Sequence, residues 1–252
     1  LGMLGPILAA FFVQKVIAKK PILGKEGLGF IVGKKRYWLI GPALIVFLLI
    51  IIYWITYLVA PTLFLDKAGL TASLAKASLP LGDSLPTALL ILFGMNLLLA
   101  PFINMPIMLG EEVGWRGFLT PNMIRLHGKK GLIWANVIWA LWHVPMFFQG
   151  LNYSSNPWLG IPFMIGVSVS LGIILQTIYQ RSGASIWVAG LMHGVINQGT
   201  MTVMNFLLRE DVEYNTFIYG LSGIIGIGVA GLVALYFYRQ YELDVEDGME
   251  EK

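Results

Sequence analysis

The 252-residue chain contains no cysteine. That absence removes disulfides, thiolate metal sites and cysteine nucleophiles together. Charge is scarce as well: Asp, Glu, Lys and Arg make up 12% of the residues, against about 25% in a soluble domain. No stretch of soluble composition reaches domain size, so 1–252 reads as a single integral membrane domain. Hydrophobic residues account for 57%, and the mean hydropathy is +0.74. Repeats at solenoid periods are absent. So is a signal-peptide pattern, and although the start, Leu1, reads as trimmed, the first apolar segment is expected to stay as a helix. The net charge of +3 is modest. Its basic residues gather at predicted membrane edges, which points to lipid headgroups and away from nucleic acid as their partner.

Charge-free runs mark the spans: Leu1–Gln14, Tyr37–Leu65, Ser84–Gly110, Gly131–Gln180, Ser182–Leu208 and Tyr214–Tyr238. A span takes about 20 apolar residues, so Gly131–Gln180 holds two, with the polar turn Gln149–Pro157 between them. A separate helix over about 106–126 brings the total to eight. The expected fold is an all-α polytopic bundle, since helices and closed barrels alone satisfy backbone groups in lipid. Lys15, Lys19, Lys20, Lys25, Lys34, Lys35 and Arg36 face Glu26 alone in the first loop, which is therefore cytoplasmic by the positive-inside rule. Arg125, Lys129 and Lys130 mark a second cytoplasmic loop and Arg181 a third. The 149–157 and 209–213 loops fall outside, and 66–83 reads as an outer amphipathic excursion. Parity then asks for an odd number of crossings between 83 and 125, so that the 106–126 helix is a partial insertion or one crossing is hidden. From Arg239 the tail, 239–252, carries six acidic residues against two basic ones and reads as solvated and partly disordered.

One stretch concentrates the ionisable groups at membrane depth: Gly110-Glu111-Glu112-Val113-Gly114-Trp115-Arg116-Gly117. A charge there is a functional hypothesis, because unpaired it costs several kcal/mol. Glu112 and Arg116 are i,i+4 and can pair. Glu111 lies about 100° round the helix, without a local cation, placed to act as a general base. A purely structural Glu-Glu-Arg cluster locking two helices remains the alternative. Gly110, Gly114 and Gly117 form a small-residue face for close helix packing.

His143 follows Trp139 by one helical turn, so an aromatic ring covers its imidazole, and Pro145 kinks or ends the helix just beyond. His193 and Asn197 are again i,i+4 and point the same way. His127, beside Lys129, reads as a headgroup neighbour. Asn96, Asn104, Asn136, Gln176, Gln198 and Asn205 read as interhelical glue, with Asn104 and Pro106 opening the helix before the Glu pair. No nucleophilic Ser elbow or Lys dyad lies at membrane depth, which leaves water as the nucleophile. Glu111 and His143 could orient and deprotonate it, while His193 and Asn197 donate to the oxyanion. Alternatively Glu111, His143 and His193 could bind zinc with water in the fourth position, although no HExxH is present. Both readings lead to hydrolysis.

Glu111-Glu112-x-x-x-Arg116, an aromatic residue four before His143, and His193-x-x-x-Asn197 resemble, in order, the motifs of the CPBP family. That family comprises type II CAAX prenyl proteases, bacteriocin-processing enzymes and Abi proteins. The resemblance covers about 84–200; the family commonly has Phe where this chain has Trp139. It implies an eight-helix intramembrane endopeptidase, in the cell membrane of a prokaryote or the endoplasmic reticulum of a eukaryote, that removes the last three residues after a prenylated cysteine. It also implies Glu111 with His143 activating water, His193 with Asn197 as oxyanion site, and Glu112, Arg116 and Trp139 in support. No cofactor is expected on the metal-free reading of this family, with zinc as the alternative. The site is expected to open towards the cytoplasm, with lipid and peptide entering between helices. Two readings of other classes stand beside it: an ion or proton transporter lined by the same charged residues, and a non-catalytic immunity or interaction protein on this fold.

Overall fold

The computed structural model describes residues 2–24, 26–76 and 84–250, with side chains to Gln240. Lys25, the 77–83 part of the outer excursion with Asp83, and the acidic side chains of the tail lie outside the described residues. The described chain forms eight helices: α1 (Gly2–Ile17), α2 (Tyr37–Val59), α3 (Lys67–Lys76), α4 (Leu85–His127), α5 (Lys129–Phe147), α6 (Pro157–Arg181), α7 (Ile186–Phe206) and α8 (Ile224–Glu250). Among the described residues, extended pairing is limited to an isolated bridge between Phe64 and Leu208. Three of these helices are long and apolar enough to cross a membrane: α2, α4 and α6. Large side chains such as Leu39 and Leu90, each 75% exposed, cover the outside, as a surface solvated by lipid requires.

Eight helices were expected, but the partition differs. The Glu-motif segment is no separate insertion: it is the second half of α4, a continuous helix of 43 residues. At 1.5 Å per residue α4 is about 65 Å long, twice the hydrocarbon thickness of about 30 Å. Wide π-type turns at Gly94–Leu99 and Val113–Leu119 give it places to bend. A single helix of this length and composition that crosses once would meet the parity requirement without a hidden span. Pro106 lacks the N–H that would bond Phe102 O but does not end the helix, which continues over Ala100–Glu112; the irregular turn comes after the Glu pair. The place of the eighth helix is taken by α3 in the outer excursion. Likewise α5 passes through Pro145 and stops at Phe147, and α8 continues past Arg239 to Glu250 where coil was expected.

The small-residue face of α4 packs on α1 and on the loop that follows it. A Cβ on Gly110, Gly114 or Gly117 would strike Met3, Pro6 or Leu28 respectively. The expected interhelical glue is partly local instead. Asn96 and Asn136 donate to Leu92 O and Leu132 O of their own helices, at 2.9 and 2.8 Å, because an i−4 carbonyl is the nearest acceptor in a dry helix. Gln176 is buried with neither side-chain atom hydrogen-bonded.

The basic loops gather at one end. The Lys34 N–H donates to Ser182 O at 2.7 Å and the Ile186 N–H to Gly29 O at 2.8 Å, so the first loop folds beneath the α6–α7 turn, with Leu28 buried. Arg181 and Lys129 lie over Phe237 and Tyr238 of α8, and His127 is exposed nearby. At the other end, Tyr153 of the α5–α6 loop donates to Ser222 O at 2.7 Å, tying that loop to the one before α8.

Candidate active site

The π-type turn directly after Glu112 widens α4 where α1, α5 and α7 press against it. Glu111 and Glu112 then face different partners, as their offset of about 100° requires. Glu112 Oε1 accepts from Arg116 Nη1 at 3.2 Å and from His193 Nδ1 at 2.8 Å. All three are buried, Glu112 and Arg116 completely. Arg116 Nε and Nη2 and Glu112 Oε2 have no hydrogen-bond partner. The guanidinium lies 4.1 Å from the Trp139 ring centroid, where the π face offsets part of the missing hydrogen bonding.

Glu111, which has no cation at helical spacing, is held by two indoles. Its Oε2 accepts from Trp139 Nε1 at 3.0 Å and from Trp115 Nε1 at 3.3 Å. These two indoles hold one carboxylate oxygen and leave Oε1 for another ligand. Trp115 was missed at first, although its i,i+4 offset from Glu111 was the available signal. Trp139 does more than cover His143. Its ring sits edge-on to both imidazoles, with centroids 5.7 Å from His143 and 5.8 Å from His193.

Hydrogen-bond chemistry assigns the imidazole tautomers. His143 Nδ1 lies 2.9 Å from Trp139 O, and a carbonyl can only accept, so Nδ1 carries the hydrogen and Nε2 is free to accept. His193 Nδ1 donates to the Glu112 carboxylate in the same way. Donation from its Nε2 therefore requires hydrogen on both ring nitrogens. Asn197 Nδ2 reaches only the thioether of Met108, at 3.3 Å, a weak acceptor.

Glu111, His143, His193 and Asn197 line one cavity of about 650 Å³, with Trp139 and Trp142 in its wall. Glu112 and Arg116 lie behind that wall. The remainder is mainly apolar, including Met146, Met164, Val167 and Leu171. The loop residues on the wall are Gln149, Leu151, Asn152, Leu221 and Ser222, all from the end opposite the basic loops. Two earlier expectations therefore collide, since the charge pattern puts these loops outside while the family resemblance asks for a cytoplasmic mouth.

Zinc has a poor fit to this donor set. Among the described residues no three His, Asp or Glu side chains gather at metal-ligand spacing.

Fold and site together define a polytopic helical membrane protein whose polar side chains converge on one cavity inside the bundle. A family model described as type II CAAX prenyl endopeptidase, Rce1-like, matches residues 86–199, the central segment of the chain. Over 93 residues the chain is 29% identical to CAAX prenyl protease 2 of Methanococcus maripaludis. That match covers 34% of each protein, so the chain spans about a third of that relative's length. Both matches agree with the resemblance carried by the three motifs.

Proposed function

We propose that the protein is a membrane-embedded endopeptidase that hydrolyses a peptide bond near the C-terminus of a lipid-anchored substrate, of the prenylated CAAX type that the relatives' names imply. The observation that supports this most is the convergence of Glu111, His143, His193 and Asn197, from three helices, on a single cavity. Water held between Glu111 Oε1 and His143 Nε2 gives up a proton as its oxygen bonds to the scissile carbonyl carbon. Asn197 Nδ2 donates to the oxygen that becomes negative, as does His193 Nε2 when doubly protonated. An oxyanion donor of this kind is worth about 3–4 kcal/mol. The C–N bond then breaks, and the abstracted proton goes to the departing amine. Glu112 with Arg116 holds His193, and Trp139 with Trp115 holds Glu111.

The test is cleavage of a farnesylated CAAX peptide by the purified protein in detergent or liposomes. Loss of cleavage in Glu111→Gln is expected. Full activity in that variant, or no cleavage by the wild type, overturns the reading. We propose the metal-free form of the reaction, for which activity should survive strong chelation; loss on chelation with recovery on adding zinc would replace it.

A prenylated CAAX substrate requires a site reached from the cytoplasm, and that orientation is part of the first reading. The position of Gln149, Asn152 and Ser222 on the cavity wall favours a second one: the same chemistry on a lipid-anchored peptide presented at the opposite face.

A further inference from the structure

The hydroxyls along α6 do not all behave alike. Ser170 donates to Gly166 O and Thr177 to Ile173 O, each at 2.8 Å, the usual resort of a hydroxyl inside a helix. Ser168 departs from this pattern. It is 2% exposed, yet its hydroxyl makes no hydrogen bond, and its oxygen is not among the atoms closed off by packing. Ser168 lines the cavity that holds Glu111 and the two histidines, flanked on α6 by Met164, Val167 and Leu171, so the free oxygen opens into that cavity. Its depth follows from the packing of α5 on α6. Asn136 of α5 fills the space that a Cβ on Gly172 would need. The two helices are joined by a short loop and run antiparallel. One turn along each, about 6 Å, brings Ser168 level with Ala140, in the turn that carries Trp139 and His143.

We propose that Ser168 is a substrate-binding residue, its hydroxyl donating to the backbone carbonyl next to the scissile one. The assignment rests on the endopeptidase reading and adds a contact to it. Successive carbonyls of an extended peptide point to opposite sides. When the scissile carbonyl faces Asn197 on α7, its neighbour along the chain faces away and needs a donor from another helix. Ser168 offers one at the depth of His143. Besides Asn197, the other hydroxyls and amides on the wall, Gln149, Asn152 and Ser222, come from the loops at one end. A nucleophilic role for Ser168 lacks its first requirement, a base on the oxygen, since the hydroxyl is bonded to neither imidazole nor to Glu111. Water stays the attacking group, and Ser168 holds the peptide that it attacks. A bond of this kind is present before the chemical step and persists through it, so its loss is read in KM and not in kcat.

The experiment compares Ser168→Ala with the wild type on a farnesylated CAAX peptide and on two analogues. In these an alkene replaces the amide bond before or after the scissile one, which keeps the shape and removes the carbonyl. Ser168→Ala should raise KM about fivefold on the parent peptide, as the loss of one neutral hydrogen bond allows, with kcat and thermal unfolding in detergent unchanged. On one of the two analogues the wild type should show the same rise. The substitution should add nothing further there, because both changes remove a single bond. Additive losses on both analogues, or wild-type kinetics on all three peptides, overturn the contact while cleavage itself stands. A collapse of kcat with covalent capture of Ser168 by a fluorophosphonate also overturns it and makes the residue the nucleophile. A lower unfolding temperature with proportionate loss of activity overturns it in favour of a packing role. A wild type that cleaves none of the peptides overturns the endopeptidase reading and the contact with it.

Discussion

Trp139 Nε1 donates to Glu111 Oε2 across 3.0 Å, tying α5 to α4 at the wall of the cavity. The same indole carries Arg116 on its face and two imidazoles at its edge. One side chain thus sets the position of the general base and the packing of both histidines. Trp139→Phe keeps one aromatic ring but loses the second ring of the indole together with its N–H. It should lower kcat about tenfold with little change in KM, and destabilise by about 1–2 kcal/mol, the cost of leaving one partner unsatisfied. Steady-state kinetics and thermal unfolding in detergent check both. Equal kcat would show that Trp115 alone holds Glu111.

Asn197 contributes little to the packing, since its amide finds only a thioether. Asn197→Ala should therefore leave unfolding almost unchanged while kcat falls by about 10²–10³-fold, the usual loss for one oxyanion donor. A large fall in stability with proportionate loss of activity would make Asn197 a structural residue.

Glu112 is bonded to both Arg116 and His193 inside a dry core. Glu112→Gln keeps the shape and strands the guanidinium, which should cost about 3–5 kcal/mol. In the double variant Glu112→Leu/Arg116→Met the charges leave together, and much of that stability should return. Activity should not return with it, because His193 Nδ1 has lost its acceptor. Recovery of both would reduce the cluster to the purely structural lock weighed at the outset.

The polar core of this site was legible in the sequence because polar residues stand out against an apolar background. Glu112–Arg116 follows from i,i+4 spacing, and seven of the eight helices follow from charge-free runs. Local spacing is blind to partners from other helices. It could not show that Glu112 is shared with His193, 81 positions away, or that Glu111 is held by an indole from α5. The continuity of α4 was hidden for a related reason. Pro106 and the run of glycines look like breakers, yet helix is the only local structure that satisfies the backbone in lipid, so the chain bends there and continues.

The direction in which the cavity opens can be measured directly, because a chain without cysteine gives a silent background for single-cysteine labelling. Asn152 lies on the cavity wall and Lys35 in the basic loop at the other end. Seven basic residues in that loop against one acidic residue put it in the cytoplasm by the positive-inside rule. Asn152→Cys should therefore react with a membrane-impermeant maleimide in intact cells, and Lys35→Cys only after lysis. His193 complicates the access route, since it lies only seven residues from the start of α7, about 10 Å from the basic end, where the loop carrying Leu28 covers it. A substrate anchored at the cytoplasmic side would have to pass between helices to reach it. If Asn152→Cys is labelled from outside, the chemistry proposed here acts on a lipid-anchored peptide presented at that face. The opposite labelling pattern places the mouth in the cytoplasm, where a prenylated C-terminus would meet the four side chains directly.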